Sequence, residues 1–166
     1  MTRRAALALA LFCLAGCGLR PLYGGGSSGA VATTLRSVTV SPIGGKNGWL
    51  VRNKLVDRLG DSGPGTATYR LDVTLDDNIT AFGLRSDRAA TQERRTLRAR
   101  FQLVDLSNGS VVLDATAGSD AGIDIVSSEY ATVAAEQTAL ENLADIVADQ
   151  ITARVALYAS RTAKAQ

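Results

Sequence analysis

Two groups of residues in this chain have types and spacings that could carry chemistry. The first is Cys17, which ends the run Leu14-Ala15-Gly16-Cys17. An apolar stretch from Ala5 to Ala15 precedes it, and Thr2-Arg3-Arg4 supplies a basic start. Small side chains before a thiol, behind a short apolar segment, form a bacterial lipoprotein signal: cleavage before Cys17, then thioether lipidation of its sulfur. The apolar run, about eleven residues, is too short to span a bilayer, which takes about 20. The second group is a row of arginines. Arg94, Arg98 and Arg100 recur at even spacing, and Arg85, Arg88 and Arg95 extend the group. A planar guanidinium fork suits phosphate or carboxylate groups.

Other chemistries are narrowed by composition. The chain has no histidine, which removes Ser-His-Asp and Cys-His catalysis and the usual zinc ligand sets. The nearest carboxylate pairs, Asp76/Asp77 and Asp120/Asp124, read as turn or surface positions rather than converging acids. No enzyme activity, cofactor or metal is expected. Cleavage removes Arg3 and Arg4 from the 18 Lys and Arg, leaving 16 against 16 Asp and Glu. That balance speaks against nucleic acid as a partner, since phosphate neutralisation needs a basic surplus. Cys13 leaves with the signal, so Cys17 is the one remaining cysteine and no intramolecular disulfide can form.

The elements that must position these residues follow from periodicity. Residues 24–29 match G-x-G-x-x-G literally, but no strand leads into them, as a dinucleotide site requires. They read as a Gly/Ser tether, and residues 18–34 as coil would span roughly 20–25 Å. Leu35 to Ser41 alternates and reads as a strand. Asn47 is placed to cap a helix over Trp49 to Leu59, with Val51, Leu55, Val56 and Leu59 on one face and Gly60 as its stop. Trp49, Tyr23 and Phe82 read as core or anchor aromatics.

Thr68 to Ala81 alternates cleanly, with Tyr69, Leu71, Val73 and Leu75 on one side and Arg70, Asp72, Thr74 and Asp76 on the other. Phe82 to Ala89 reads as a polar hairpin tip. The return strand, about Thr91 to Leu106, puts Leu97, Ala99, Phe101 and Leu103 inward and Arg94, Thr96, Arg98, Arg100 and Gln102 outward. Asn108-Gly109 suits a type I′ turn into a strand from Val111. Ser127 or Ser128 can cap a last helix reaching about Ala159. Its apolar stripe is Val133, Leu140, Ala144, Val147, Ile151, Val155 and Tyr158, widened by Leu143 and Ile146.

The fold expected is α+β: a two-layer sandwich of a sheet of about four strands with two helices packed on one face. The strand order stays open. The division is a lipoprotein signal at 1–16, a lipidated tether at 17–34, one domain at 35–160 and a disordered tail at 161–166. The arginine row has two readings. It can pair across strands with Asp72 and Asp76 as a solvated face, or its tip and upper part can meet phosphate or carboxylate groups.

With these elements placed, the chain resembles the lipopolysaccharide-assembly lipoprotein family LptE in its alphaproteobacterial form. The resemblance rests on Cys17-Gly18-Leu19-Arg20-Pro21-Leu22-Tyr23-Gly24, Leu50-Val51-Arg52-Asn53-Lys54-Leu55 and Tyr69-Arg70-Leu71-Asp72-Val73. It continues in Ser128-Glu129-Tyr130-Ala131 and Ala148-Asp149-Gln150-Ile151. It implies a non-enzymatic lipoprotein at the periplasmic face of the cell outer membrane, held by its lipid. There it would plug and help assemble a large LptD-type β-barrel and aid insertion of lipopolysaccharide into the outer leaflet. Gly18 after Cys17 agrees with that address, because it is not the Asp typical of inner-membrane retention. Arg85, Arg88, Arg94 and Arg98 are the candidates for binding lipopolysaccharide, taken from the arginine row itself. The alternative is a lipid-binding auxiliary lipoprotein of an intermembrane lipid carrier system.

Overall fold

The computed structural model describes residues 29–60, 67–84, 90–126 and 128–165. The elements run α1 (Ala30–Arg36), β1 (Val38–Val40), α2 (Gly45–Leu59), β2 (Tyr69–Leu84), β3 (Ala90–Asp105), β4 (Val111–Asp124) and α3 (Glu129–Ala165). One mixed sheet has the order β1-β2-β3-β4. β1 pairs in parallel with Tyr69–Leu71, and the other pairings are antiparallel. The α+β sandwich with four strands is as the patterning predicts, but with three helices rather than two among the described residues.

Period-two alternation sorts the sheet. Leu71, Leu97, Ala99, Phe101 and Leu103 are buried against the helices, while Arg94, Arg98, Arg100, Thr74 and Asp76 are exposed on the other side. Each large apolar side chain removed from water in this way contributes about 1.5–3 kcal/mol. The helices complete one core with Val51, Leu55 and Leu59 of α2 and Leu140, Leu143, Val147, Ile151 and Val155 of α3. Tyr158 meets Tyr69 edge-to-face at 6.0 Å, and burial pushes the Tyr69 phenol up to about 12. α2 lies along α3, tied by Lys54 to Asp145 at 2.9 Å and by Arg58 to Asp145 and Asp149 at 3.0 and 2.6 Å.

Several expectations are corrected. The strand predicted over Leu35–Ser41 starts late: Leu35 and Arg36 are the last two residues of α1, the Ser37 hydroxyl donates to the Thr34 carbonyl at 2.8 Å as the chain leaves that helix, and only Val38–Val40 are strand. Leu35 is buried from a helix, so its spacing from Val38 and Val40 was not strand alternation. α2 starts two residues before Asn47, with Gly44 as its cap. The Asn47 amide serves another purpose, donating to the Asp77 carboxylate. Trp49 is 63% exposed rather than core. Gly60, at φ 86°, ends α2 as predicted.

The turn after β3 is wider than a two-residue type I′ turn. Asp105 N–H donates to the Ser110 carbonyl at 2.9 Å, and Gly109 N–H to the Asp105 carbonyl at 2.8 Å. The Asp105 carboxylate accepts from the Ser107 amide and hydroxyl, at 2.8 and 2.7 Å, and this local capping holds the longer loop. Those same bonds hold the Asp105 carboxyl below its usual range. α3 has 37 residues. It continues to Ala165 and so takes in five of the six residues expected as a tail. Val133 and Ile146, expected in its apolar stripe, are exposed at 56% and 42%. Likewise α1 occupies the end of the segment expected as tether.

Candidate functional site

The end of β2 in the β2–β3 hairpin is open to solvent. From Asn78 to Gly83 every residue of β2 is exposed, on both faces. Ile79 and Phe82 are exposed as well, although their types would suit a core. This arm is paired in register from Ile79↔Arg95 to Leu84↔Ala90, about 20 Å at a strand's rise of about 3.3 Å per residue, and β4 flanks its β3 side as far as Gln92↔Asp124.

At its base lies a buried polar cluster. Arg95 shares the inward parity of Leu97 and is 8% exposed. Its Nε and Nη2 donate to the two Asp77 oxygens at 2.9 and 2.6 Å, and its Nη1 donates to the Glu136 carbonyl of α3 at 3.0 Å. The Asp77 bonds raise the Arg95 pKa above its ordinary value. Arg95 is therefore a structural clamp, not a member of the exposed arginine row. Asp77 likewise faces inward and does not occupy a turn or surface position. Glu93 sits above them; burial, then the neighbouring Glu136 carboxylate, pushes its carboxyl up.

The exposed row lies on the outer face of β3. Its acidic partners are on β4 rather than β2, contrary to the expected pairing with Asp72 and Asp76. Arg100 donates to Asp114 at 2.9 and 3.3 Å, which raises the arginine and lowers the carboxylate from their usual values. Arg94 lies 3.9 Å from Asp120 and 5.4 Å over the ring of Phe82. Asp72 instead pairs with Arg70 two residues away on the same strand, at 3.0 Å.

Arg98 breaks the pattern. Its ladder partners are Gly118 on β4 and Asp76 on β2, and among the described residues no carboxylate forms an ion pair with it. A Cβ on residue 118 would fall 2.6 Å from the Arg98 Cδ and 2.8 Å from its Nη1. The arginine therefore lies across the strand in the space a side chain would fill. At the open edge of β4, Gln150 of α3 completes the backbone bonding of Gly118. Gly118 N–H donates to Oε1 at 3.0 Å, and Nε2 donates to the Gly118 carbonyl at 3.3 Å. Arg154 stands one helical turn further along α3. A cleft of about 650 Å³ crosses the outer face here, lined by Thr74, Asp76, Arg98, Arg100, Gln150 and Arg154 among others.

Of the predicted site residues, Arg94 and Arg98 lie on one exposed face, four residues apart along β3. Cys17, Arg85, Arg88 and Tyr23 lie outside the described residues. Arg154 and Gln150 are not among the predicted site residues; they belong to a helix whose pattern advertises only its apolar side.

The domain is a long helix on a mixed four-stranded sheet with a row of outward arginines on its open face. The family model LptE, described as lipopolysaccharide-assembly, matches residues 35–155. The chain belongs to this family of lipopolysaccharide-assembly lipoproteins. Among solved structures it is similar to a protein of Caulobacter crescentus assigned to the lipoproteins, at 25% identity and TM-score 0.67, covering 81% of this chain and 98% of that one. A minor lipoprotein of Acinetobacter baumannii matches at 18% identity and TM-score 0.56, covering 72% and 90%. The rare lipoprotein B of Shewanella oneidensis matches at 10% identity and TM-score 0.51, covering 75% and 94%. These last two likenesses concern the fold alone. No curated protein sequence matches significantly. Among the described residues, no helix is long and apolar enough to cross a membrane.

Proposed function

We propose that this chain is the lipid-anchored subunit of a lipopolysaccharide translocon in the outer membrane, seated at the periplasmic face inside an LptD-type β-barrel. Residues 1–16 are the signal, Cys17 carries the lipid, and the segment from there to α1 tethers the folded domain. The role is structural: the domain helps its barrel assemble, plugs it, and presents lipopolysaccharide for insertion into the outer leaflet. The observation that carries this reading, beyond family membership, is the exposed end of the β2–β3 hairpin. There Phe82 is exposed and Arg94 lies over its ring. A cationic, aromatic-bearing arm suits a ligand with phosphate groups and an apolar body.

In this reading Arg85, Arg88, Arg94 and Arg98 contact lipopolysaccharide. Copurification of the full-length lipoprotein from outer membranes should recover a β-barrel in stoichiometric amount; recovery only as a free monomer sinks the proposal. Charge reversal at Arg85, Arg88 and Arg94 should weaken lipopolysaccharide binding while circular dichroism stays native. Mass spectrometry of the N-terminal peptide should find acyl chains on Cys17, and Cys17→Ala should release or mislocalise the protein.

A further inference from the structure

We infer that the cleft between Arg98 and Arg154 is a phosphate-binding site, separate from the hairpin arm and built by Gly118 and Gln150. On the outer face of β4, acids and small residues alternate: Asp114, Thr116, Gly118, Asp120, Gly122 and Asp124. Asp114 is taken by Arg100 and Gln102, Asp120 by Arg94, and Asp124 by Gln92. Gly118 supplies no acid, and its missing side chain is the space in which Arg98 rests.

Arg154 enters the same cleft from α3, and among the described residues it too has no carboxylate partner. Asp76, opposite Arg98 on β2, is the carboxylate of the lining and forms no ion pair with either arginine among the described residues, so two guanidinia face one acid and an anion between them would lower their mutual repulsion. Gln150, held by both backbone groups of Gly118, fixes the height of α3 beside the strand and so sets where Arg154 stands. Thr74 and Thr116 add hydroxyls to the lining, and these suit the remaining oxygens of a phosphate or the hydroxyls of a sugar carrying it. A tetrahedral phosphate presents several oxygens at once, which two forks approaching from different elements can share. A carboxylate has two oxygens in one plane and is served by one fork.

Arg98 belongs to the set proposed above, so the inference rests on that reading for which molecule brings the phosphate, though not for the site. The test titrates full-length protein in neutral detergent with inorganic phosphate and with glucosamine 1-phosphate, reading amide shifts by NMR. Saturable shifts at Gly118 and Gln150 are expected. Arg98→Gln and Arg154→Gln should each weaken binding about tenfold. Gly118→Ala keeps both charges but displaces Arg98, and should weaken binding as well. Arg161→Gln, further along the same helix, should leave it unchanged.

Vesicles containing phosphatidylglycerol, compared with phosphatidylcholine alone, separate a lipid headgroup from a sugar phosphate; dependence on Arg98 and Arg154 in either arm supports the site. Equal binding by wild type and the Arg98→Gln/Arg154→Gln double variant overturns it. Saturation by a glutamate-rich peptide but not by phosphate also overturns it and points to a protein partner. If the double variant loses phosphate yet still copurifies with a barrel, both readings stand. If phosphate binds as expected but no barrel is recovered, the site stands and the translocon reading falls.

Discussion

Arg95 and Asp77 meet side by side on the core face of the sheet, with guanidinium nitrogens 2.9 and 2.6 Å from the two carboxylate oxygens. The pair joins four elements, β2 and β3 directly and two helices besides, because Arg95 also reaches the Glu136 carbonyl of α3 and Asp77 accepts from Asn47 of α2. It closes the core at the base of the arm. Removing one member leaves the other charge buried and unpaired. Arg95→Ala or Asp77→Ala should therefore cost about 3–5 kcal/mol. An apolar replacement of both, Arg95→Met with Asp77→Leu, should recover most of that loss. Urea unfolding of the two single variants and the double variant measures the difference.

Glu93 gives the domain a pH dependence of opposite sign to its other shifted acids. One of its carboxylate oxygens is buried with no donor among the described residues. Burial, followed by Glu136, raises its pKa. A raised folded pKa means its favourable contribution is complete below the ordinary glutamate range and is lost as pH rises through the folded value. Asp72, Asp114 and Asp145 are lowered by their partners. Their contribution is present above the ordinary aspartate range and is lost as pH falls through their folded values. Glu93→Gln should thus be more stable than wild type at pH 7, with the difference closing near pH 4. Thermal melts across that window check the sign.

The sheet was legible because its alternation is strict, and the same alternation held information that composition concealed. Asp77 has the parity of Leu71, and Arg95 that of Leu97, so both point inward despite their charge. Grouping Arg95 with the exposed arginines followed residue type rather than position. Asn47 was read as a cap because asparagine favours caps locally, whereas its partner Asp77 is 30 residues away. The pairing of Arg94 and Arg100 with β4 depended on the strand order, which one-dimensional spacing does not encode. Arg154 and Gln150 show the same limit: which polar side of α3 meets the β4 edge is decided by packing over more than 30 residues of separation.

The apolar side of α3 is narrower than its sequence stripe, and substitutions should trace its margin. Leu140 and Val147 are essentially inaccessible, while Val133 is 56% exposed. Leu140→Asp or Val147→Asp would bring an unpaired carboxylate into the core and should prevent folding. Val133→Asp should shift stability by no more than about 0.5 kcal/mol, the ordinary range for surface changes. Circular dichroism and melting temperature separate the two outcomes. A Val133→Asp variant that fails to fold would mean the first turns of α3 are covered in the native protein.

Gln150 protects the edge of β4 at Gly118, where a neighbouring strand would otherwise be able to pair. Its amide supplies one acceptor and one donor, matching the N–H and the C=O of a strand residue. Gln150→Ala removes both and returns those groups to solvent at an open edge, a position prone to edge-to-edge association. The expected stability cost is about 1 kcal/mol, with faster amide exchange at Gly118 and a greater tendency to self-associate. Gln150→Glu keeps the acceptor for the N–H but sets a charge against the carbonyl, so it should cost more than its shape suggests. If Gly118 exchanges at the wild-type rate in both variants, the bidentate bond is not what closes the edge. If exchange quickens in both, the orientation of α3 and the exposure of Arg154 depend on a single amide side chain.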